Sequence, residues 1–242
     1  MVAIGKMGQE VQKQLNLYNN CVLIAGFDKE NTGEFTFPVY TNFNEVIEKP
    51  DVIIDFSVPK ATMCMLDYAK ANHVPVVIAT TGFSEEENEK IIEYSKGLPI
   101  FKSANMSFDI NLMAKVLVEV AKALPNTDIE IIETHHNRKI DSPSGTAILL
   151  ADSINKALDN RFSYEFDRHS KHEKRSKCEI GFSSIRGGNI VGEHTVQFFG
   201  ENETFEITHK AYSRSVFADG AIKAACFLVG KENGFYTMDD LL

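Results

Sequence analysis

Asp51-Val52-Ile53-Ile54-Asp55-Phe56-Ser57 is followed by a helix-length segment, residues 60–71, and then by Val74-Pro75-Val76-Val77-Ile78-Ala79-Thr80-Thr81-Gly82. Both apolar runs are short and carry no alternation, so each is suited to burial on two faces. A helical segment between two such runs reads as a strand-helix-strand unit of a parallel sheet. Working outward, Val22-Leu23-Ile24-Ala25-Gly26-Phe27 is another apolar run ending at Asp28, and Leu98-Pro99-Ile100-Phe101 is a fourth. Residues 84–96 supply a further helix, with Ser84 and Glu87 spaced as a capping box. Strand and helix alternate throughout this half, which predicts a doubly wound parallel sheet.

The chain opens with Val2-Ala3-Ile4-Gly5-Lys6-Met7-Gly8-Gln9-Glu10. An apolar strand, a glycine pair and an amphipathic helix begin a Rossmann-like dinucleotide-binding domain, because glycine lets the backbone approach a pyrophosphate at a helix N-terminus. Asp28 ends the next strand twenty positions after Gly8, where a carboxylate meets the ribose hydroxyls of a dinucleotide. Lys29 beside it suits a 2′-phosphate. This pair predicts dual use of NADH and NADPH with a lean to NADH. Thr80-Thr81-Gly82 and Ser103-Ala104-Asn105-Met106 each follow a strand, at the edge where ligands bind in open parallel sheets.

The second half differs. Residues 109–124 carry a helical stripe (Leu112, Met113, Val116, Leu117, Val120, Leu124) closed by Pro125-Asn126. A strand over 129–133 and a helix over 146–158 follow. Strands over 178–185, 190–199 and Thr204–Ala211, joined by Arg186-Gly187-Gly188-Asn189 and Gly200-Glu201-Asn202-Glu203, read as an antiparallel meander. A last helix over 218–229 packs back on the first half. The organisation is an α/β dinucleotide-binding domain (1–106), an inserted α+β domain (107–213) and a return to the first domain (214–242).

The segment Glu133-Thr134-His135-His136-Asn137-Arg138-Lys139-Ile140-Asp141-Ser142-Pro143-Ser144-Gly145-Thr146-Ala147 concentrates the chemistry. A basic loop faces Ser144-Gly145-Thr146, which open a helix whose free N–H groups can take a carboxylate. The two together form a pocket for a small dianion. A histidine among other cations loses its proton readily, which suits acid/base work near neutral pH. His194 and His209 fall in alternating strands and read as sheet histidines. The segment 161–177, with His169, His172 and several Lys and Arg, reads as a mobile loop.

Composition narrows the function. Lys+Arg number 25 against 34 Asp+Glu, a net charge of −9, which disfavours a nucleic-acid partner. No apolar run is long enough for a membrane span, and no signal peptide is visible. The four cysteines form no CxxC pair, consistent with a reduced, cytoplasmic setting. No metal-ligand spacing, P-loop or Gly-x-Ser-x-Gly elbow occurs.

At residues 133–147 the chain resembles the dihydrodipicolinate reductase family, whose signature is similar to E-x-H-H-x-x-K-x-D-x-P-S-G-T-A. Asp55-Phe56-Ser57-x-Pro59, Thr80-Thr81-Gly82-Phe83, Ala104-Asn105-Met106-Ser107 with Asn111, Arg186-Gly187-Gly188, Gly192-Glu193-His194-Thr195 and Ile207-Thr208-His209-Lys210-Ala211 extend the likeness over nearly the whole chain. Ala79 replaces one family glycine.

The resemblance implies hydride transfer from the nicotinamide of NADH or NADPH to 4-hydroxy-tetrahydrodipicolinate (dihydrodipicolinate), giving tetrahydrodipicolinate in lysine and diaminopimelate synthesis. It implies His135 as acid/base group and Lys139 as proton donor. It places the substrate carboxylates on His136, Ser144, Gly145 and Thr146. Cofactor contacts fall to Gly5, Lys6, Met7, Gly8, Asp28, Lys29, Ala79, Thr80, Thr81, Ser103, Ala104, Asn105 and Met106. It implies a homotetramer and no metal. Gly5-Lys6-Met7-Gly8 matches only the end of the family's G-x-x-G-x-M-G loop, and a shortened loop offers fewer N–H donors to a pyrophosphate. The alternative is therefore a catalytically impaired dicarboxylate-binding protein of the same fold.

Overall fold

The structure, a computed structural model, describes residues 5–31 and 35–242. The expected first strand, Val2–Ile4, lies outside them. In chain order the elements are α1 (Lys6–Leu15), β1 (Gly26–Phe27), β2 (Val39–Tyr40), a 3₁₀ turn (Phe43–Glu45), β3 (Ile53–Asp55), α2 (Pro59–Asn72), β4 (Val76–Ile78), α3 (Glu85–Ser95), β5 (Pro99–Lys102), α4 (Phe108–Ala123), β6 (Asp128–His135), α5 (Gly145–Ala157), β7 (Ser163–Glu165), β8 (Glu179–Arg186), β9 (Gly192–Phe199), β10 (Thr204–Ala211), α6 (Ser215–Leu228), β11 (Gly234–Tyr236) and α7 (Met238–Leu241). The chain divides into two compact units, Met1–Phe108 with Arg214–Leu242, and Asp109–Ser213.

The first unit is α/β. Its main sheet has the order β11-β5-β4-β3, parallel throughout. Val76, Val77, Ile78, Ile100 and Phe101 are fully buried, as two-sided strands must be. α2 starts with Pro59 in its first turn and ends at His73 in the left-handed conformation. It buries Thr62, Met65, Leu66 and Ala69, one helical face. Ser84 and Glu87 form the expected capping box on α3. In α6, Gly220 lies against the backbone at Met106, where a Cβ would come within 1.7 Å of the Met106 carbonyl oxygen. Only glycine permits that approach, which supports the Ser103–Met106 loop from below.

Two expectations for this unit change. The strand foreseen over 22–27 shortens to Gly26–Phe27, which pairs with Val39–Tyr40 in a separate two-stranded sheet. Residues 21–25 have no ladder partner among the described residues, and with Val52–Ile54 they line an apolar cavity of about 380 Å³. The strand β11 had no sequence signal strong enough to be foreseen. It is three residues long and extends the edge of the sheet beside β5.

The second unit has a sheet of order β10-β9-β6-β8-β7, covered by α4 and α5. Ile129, Ile131, Ile180, Phe182, Val196 and Phe198 meet Leu117, Leu150 and Ile154 in its core. The meander is corrected. β9 and β10 form the expected hairpin, but β6 lies between β8 and β9, parallel to β8 and antiparallel to β9. β6, β8 and β9 are equally long at 8 residues, and β6 takes the sheet centre with β8 and β9 covering its two edges. The turn after β8 therefore crosses the end of β6, with Gly187 N donating to His135 O (2.9 Å) and His136 N to Ile190 O (2.8 Å).

The segment 161–177 is anchored, and it contains β7. Arg175 bonds Glu130 (3.3 Å), Asp128 (2.9 Å) and the carbonyls of Ile129 and Glu179. Arg168 also reaches Glu130 (2.8 Å) and pairs with Glu179. Arg168, Lys171 and Arg175 pair with carboxylates of the strands, which composition alone could not reveal.

Candidate active site

Strand periodicity builds the site in the second unit. Along β6 the buried positions are Ile129, Ile131, Glu133 and His135. The first two fill the core, and the last two carry the same face into polar chemistry. Along β9 the buried positions run Phe198, Val196, His194 and Gly192 in the opposite direction. Register places Glu133 opposite His194 on β9, and His135 opposite Arg186 on β8. The apolar face of the sheet thus ends in a cluster of Glu133, His135, Arg186 and His194.

Glu133 is 1% exposed and His135 is 7% exposed. His135 Nδ1 is hydrogen-bonded to Glu133 Oε2. Arg186 grips the same carboxylate with two nitrogens, at 2.9 and 2.7 Å. The Ser144 backbone N–H donates to Glu133 Oε1 at 3.3 Å. Burial raises the Glu133 pKa, but hydrogen bonds from His135, Arg186 and Ser184 outweigh it and hold the carboxyl well below the usual range. The carboxylate therefore stays charged. Its bond to Nδ1 leaves Nε2 as the His135 nitrogen turned away from it, on the side where Gly192 leaves room. A Cβ at Gly192 would come within 3.0 Å of that atom.

The basic loop follows β6. Lys139 Nζ pairs with Asp141 at 2.8 Å, and its backbone N–H closes a turn onto the His136 carbonyl. Asp141 is raised by burial but lowered more by Lys139, so it stays ionised. A cis Ser142–Pro143 peptide leads to Ser144, which caps α5 through Ala147 N (3.2 Å). Gly145 and Thr146 begin the helix, so the expected residues His135, His136, Lys139, Ser144, Gly145 and Thr146 lie in one continuous strand-turn-helix segment. No acidic residue occupies the first turn of α5, so its positive end is available to an anion.

The role of His194 was missed from sequence. Its Nε2 lies 3.0 Å from Ser144 Oγ, and its ring meets His135 edge-on with centroids 5.1 Å apart. Strand alternation was the signal: His194 shares a face with core Val196 and lies opposite Glu133. Burial and the neighbouring His135 push its pKa down to about 3, so it is neutral near pH 7.

In the first unit, Gly5 precedes α1 in extended backbone without a side-chain cap, and the first turn carries no acidic residue. Asp28 and Lys29 follow β1, and the Lys29 N–H donates to Asp28 Oδ1 at 2.8 Å. The carboxyl ends of β3 and β4 are joined by a buried network. Asp55 accepts from Thr62 (2.6 Å), Thr80 (2.9 Å) and Ser57 N (3.1 Å), and Ser57 N also donates to Thr80 (2.8 Å). Ala79, Thr80 and Thr81 stand at the end of β4. After β5, Ser103 donates to the Asn105 carbonyl (2.7 Å) and Asn105 accepts from Ser107 N (2.8 Å). An uncapped glycine-led helix and three parallel strand ends with hydroxyl and amide groups fit a dinucleotide. Gly5, Lys6, Met7 and Gly8 lie at the start of that helix.

The two units together define a dinucleotide-dependent oxidoreductase: a parallel-sheet unit of nucleotide type, and a unit bearing a carboxylate-held histidine beside a helix N-terminus. Residues 2–106 match the family described as dihydrodipicolinate reductase, N-terminus, and residues 109–242 match dihydrodipicolinate reductase, C-terminus. The chain belongs to the dihydrodipicolinate reductase family. A 4-hydroxy-tetrahydrodipicolinate reductase of Caldanaerobacter subterraneus is 50% identical over 98% of this chain and 94% of the relative. One of Staphylococcus carnosus is 46% identical over 100% and 98%. A dipicolinate-bound dihydrodipicolinate reductase from Paenisporosarcina sp. TG-14 superposes with a TM-score of 0.81 at 26% identity, covering 99% of this chain and 96% of that one.

Proposed function

We propose that the chain reduces 4-hydroxy-tetrahydrodipicolinate to tetrahydrodipicolinate, with the His135–Thr146 segment as its substrate site. As a member of its family it is an NAD(P)H-dependent oxidoreductase of lysine and diaminopimelate synthesis. The carrying observation is the buried His135 held by Glu133 at the mouth of an anion-accepting helix.

The cofactor supplies a hydride from nicotinamide C4 when bound. The substrate loses water, and its ring then gains one hydride and one proton, so two electrons leave NAD(P)H as NAD(P)+. Lys139 donates the proton, and its ammonium offsets substrate charge. His135 exchanges protons through Nε2. His136, Ser144, Gly145 and Thr146 hold the carboxylates, drawing on the positive N-terminal end of α5. In the first unit, Gly5, Lys6, Met7 and Gly8 receive the pyrophosphate. Asp28 takes the ribose hydroxyls, with Lys29 beside it for a 2′-phosphate. Ala79, Thr80, Thr81, Ser103, Ala104, Asn105 and Met106 line the strand ends toward the nicotinamide.

In this reading residues 1–106 and 214–242 form the dinucleotide-binding domain. Residues 107–213 bind substrate and associate through their sheet into a homotetramer, and the protein works in the cytoplasm. None of the helices among the described residues is long and apolar enough to cross a membrane. The impaired, binding-only alternative is not favoured, since relatives at about half identity over the full chain are named as reductases. The test is Lys139→Ala, read by steady-state oxidation of NADH. Turnover is expected to fall by about 10²–10⁴, with NADH affinity unchanged in calorimetry. Unchanged turnover overturns the assigned proton donor.

A further inference from the structure

The carboxylate of Glu133 receives donors from three different places in the chain. His135 Nδ1 comes from its own strand, the Arg186 guanidinium from β8 and the Ser144 N–H from the cap of α5. Arg186 in turn donates to the Asp141 carbonyl at 2.7 Å. Thus one carboxylate touches the acid/base histidine, and through Arg186 and Ser144 it also grips both ends of the turn that presents the helix N-terminus. A buried charge is costly unless paired, and breaking such a pair costs more than a surface ion pair ever contributes. The chain keeps this one fully hydrogen-bonded. A purely structural ion pair would need neither the imidazole nor the Ser144 amide.

We propose that Glu133, clamped by Arg186, is the positioning residue of the reaction: it fixes His135 as the Nδ1–H tautomer, with Nε2 free for proton exchange, and locks the anion-binding turn to the same carboxylate. The inference rests on the reductase reading and deepens it. Glu133 does not touch substrate in this scheme. It acts through His135 by tautomer and orientation, and through Ser144 by the position of the helix start. The charged and titratable groups facing His135 are Glu133 on β6, Arg186 on β8, His194 on β9 and Lys139 and Asp141 on the following loop. His209 on β10 stands opposite His194 in register. Among these Glu133 is the anion hydrogen-bonded to the imidazole.

The test is Glu133→Gln in the full chain, with imidazole ¹⁵N spectra of wild type and variant, the His135 signals assigned through His135→Asn. In the wild type the neutral form of His135 is expected to carry its proton on Nδ1. A majority protonated on Nε2 overturns the proposal without any variant. In Glu133→Gln the Nδ1-protonated share of neutral His135 is expected to fall to a minority. kcat is expected to drop about 10- to 100-fold with it. Affinity for pyridine-2,6-dicarboxylate, the planar dianion used as probe, is expected to weaken by about tenfold. Glu133→Asp, which keeps the acceptor charge, is expected to restore the Nδ1–H tautomer. A variant with reduced stability but an unmoved tautomer ratio and kcat has lost only a structural bond, and overturns the proposal. Should the wild type fail to oxidise NADH or NADPH with substrate, the reductase reading falls, while the tautomer ratios of wild type and variant still decide the role of Glu133.

Discussion

Ser144 Oγ and His194 Nε2 lie 3.0 Å apart, joining the cap of α5 to β9 beneath His135. The hydroxyl also accepts from Ala147 N, so one serine both caps the helix and engages the buried histidine. Neutral His194 is part of the folded arrangement, because charging it would place a cation next to His135 without an acceptor for its second nitrogen.

This has a pH consequence. In the folded chain burial holds the pKa of His194 down to about 3, against the usual 6.5 of a histidine. The unfolded chain therefore binds the extra proton first, and the stability from neutral His194 is complete above pH 6.5. It is lost progressively as pH falls from 6.5 toward 3. The slope from this one group approaches about 1.4 kcal/mol per pH unit. Urea unfolding between pH 7 and 5 is expected to show falling stability in the wild type and a flatter profile in His194→Asn. Equal slopes would remove His194 as the cause.

Asp55 ties the ends of β3 and β4 to α2 through Thr62, Thr80 and the Ser57 amide. Asp55→Ala removes the carboxylate acceptor of the buried Thr62 and Thr80 hydroxyls and leaves the Ser57 amide only its bond to Thr80. It is expected to destabilise the fold by about 2–3 kcal/mol and to raise the KM for NADH, since the Thr80 loop loses its anchor. Chemical denaturation and steady-state kinetics check the two effects. A stable variant with unchanged KM would show the network to be dispensable.

Asp28 follows β1 with its carboxylate next to the Lys29 amide. Asp28→Ala is expected to raise the KM for NADH by about tenfold, one charged hydrogen bond's worth. The KM for NADPH is expected to change little, because Lys29 remains. The ratio of the two KM values in one preparation reads this directly. An equal change in both would mean that Asp28 does not meet the ribose.

Much of the active segment was legible in sequence because its residues are local. His135, His136, Lys139 and Ser144–Thr146 sit within a dozen positions, and loop, proline and helix cap each leave a sequence mark. Arg186 and His194 were not legible as partners of Glu133. They lie more than fifty positions away and reach it only through the register of β6 with β8 and β9. The same reason hid the ladder order. Hydrophobic alternation shows that a segment is a strand, but it carries no information on which neighbour it pairs with.

From its sequence alone this protein is an α/β chain with a parallel-sheet half, an α+β half and a basic loop before a serine-capped helix. Those properties follow from short-range periodicity and capping, which act within a few residues. The insertion of β6 between β8 and β9, the burial of Glu133 under Arg186, and the contact of His194 with Ser144 depend on long-range pairing. Their energies come from register and desolvation, which exist only once distant strands are side by side.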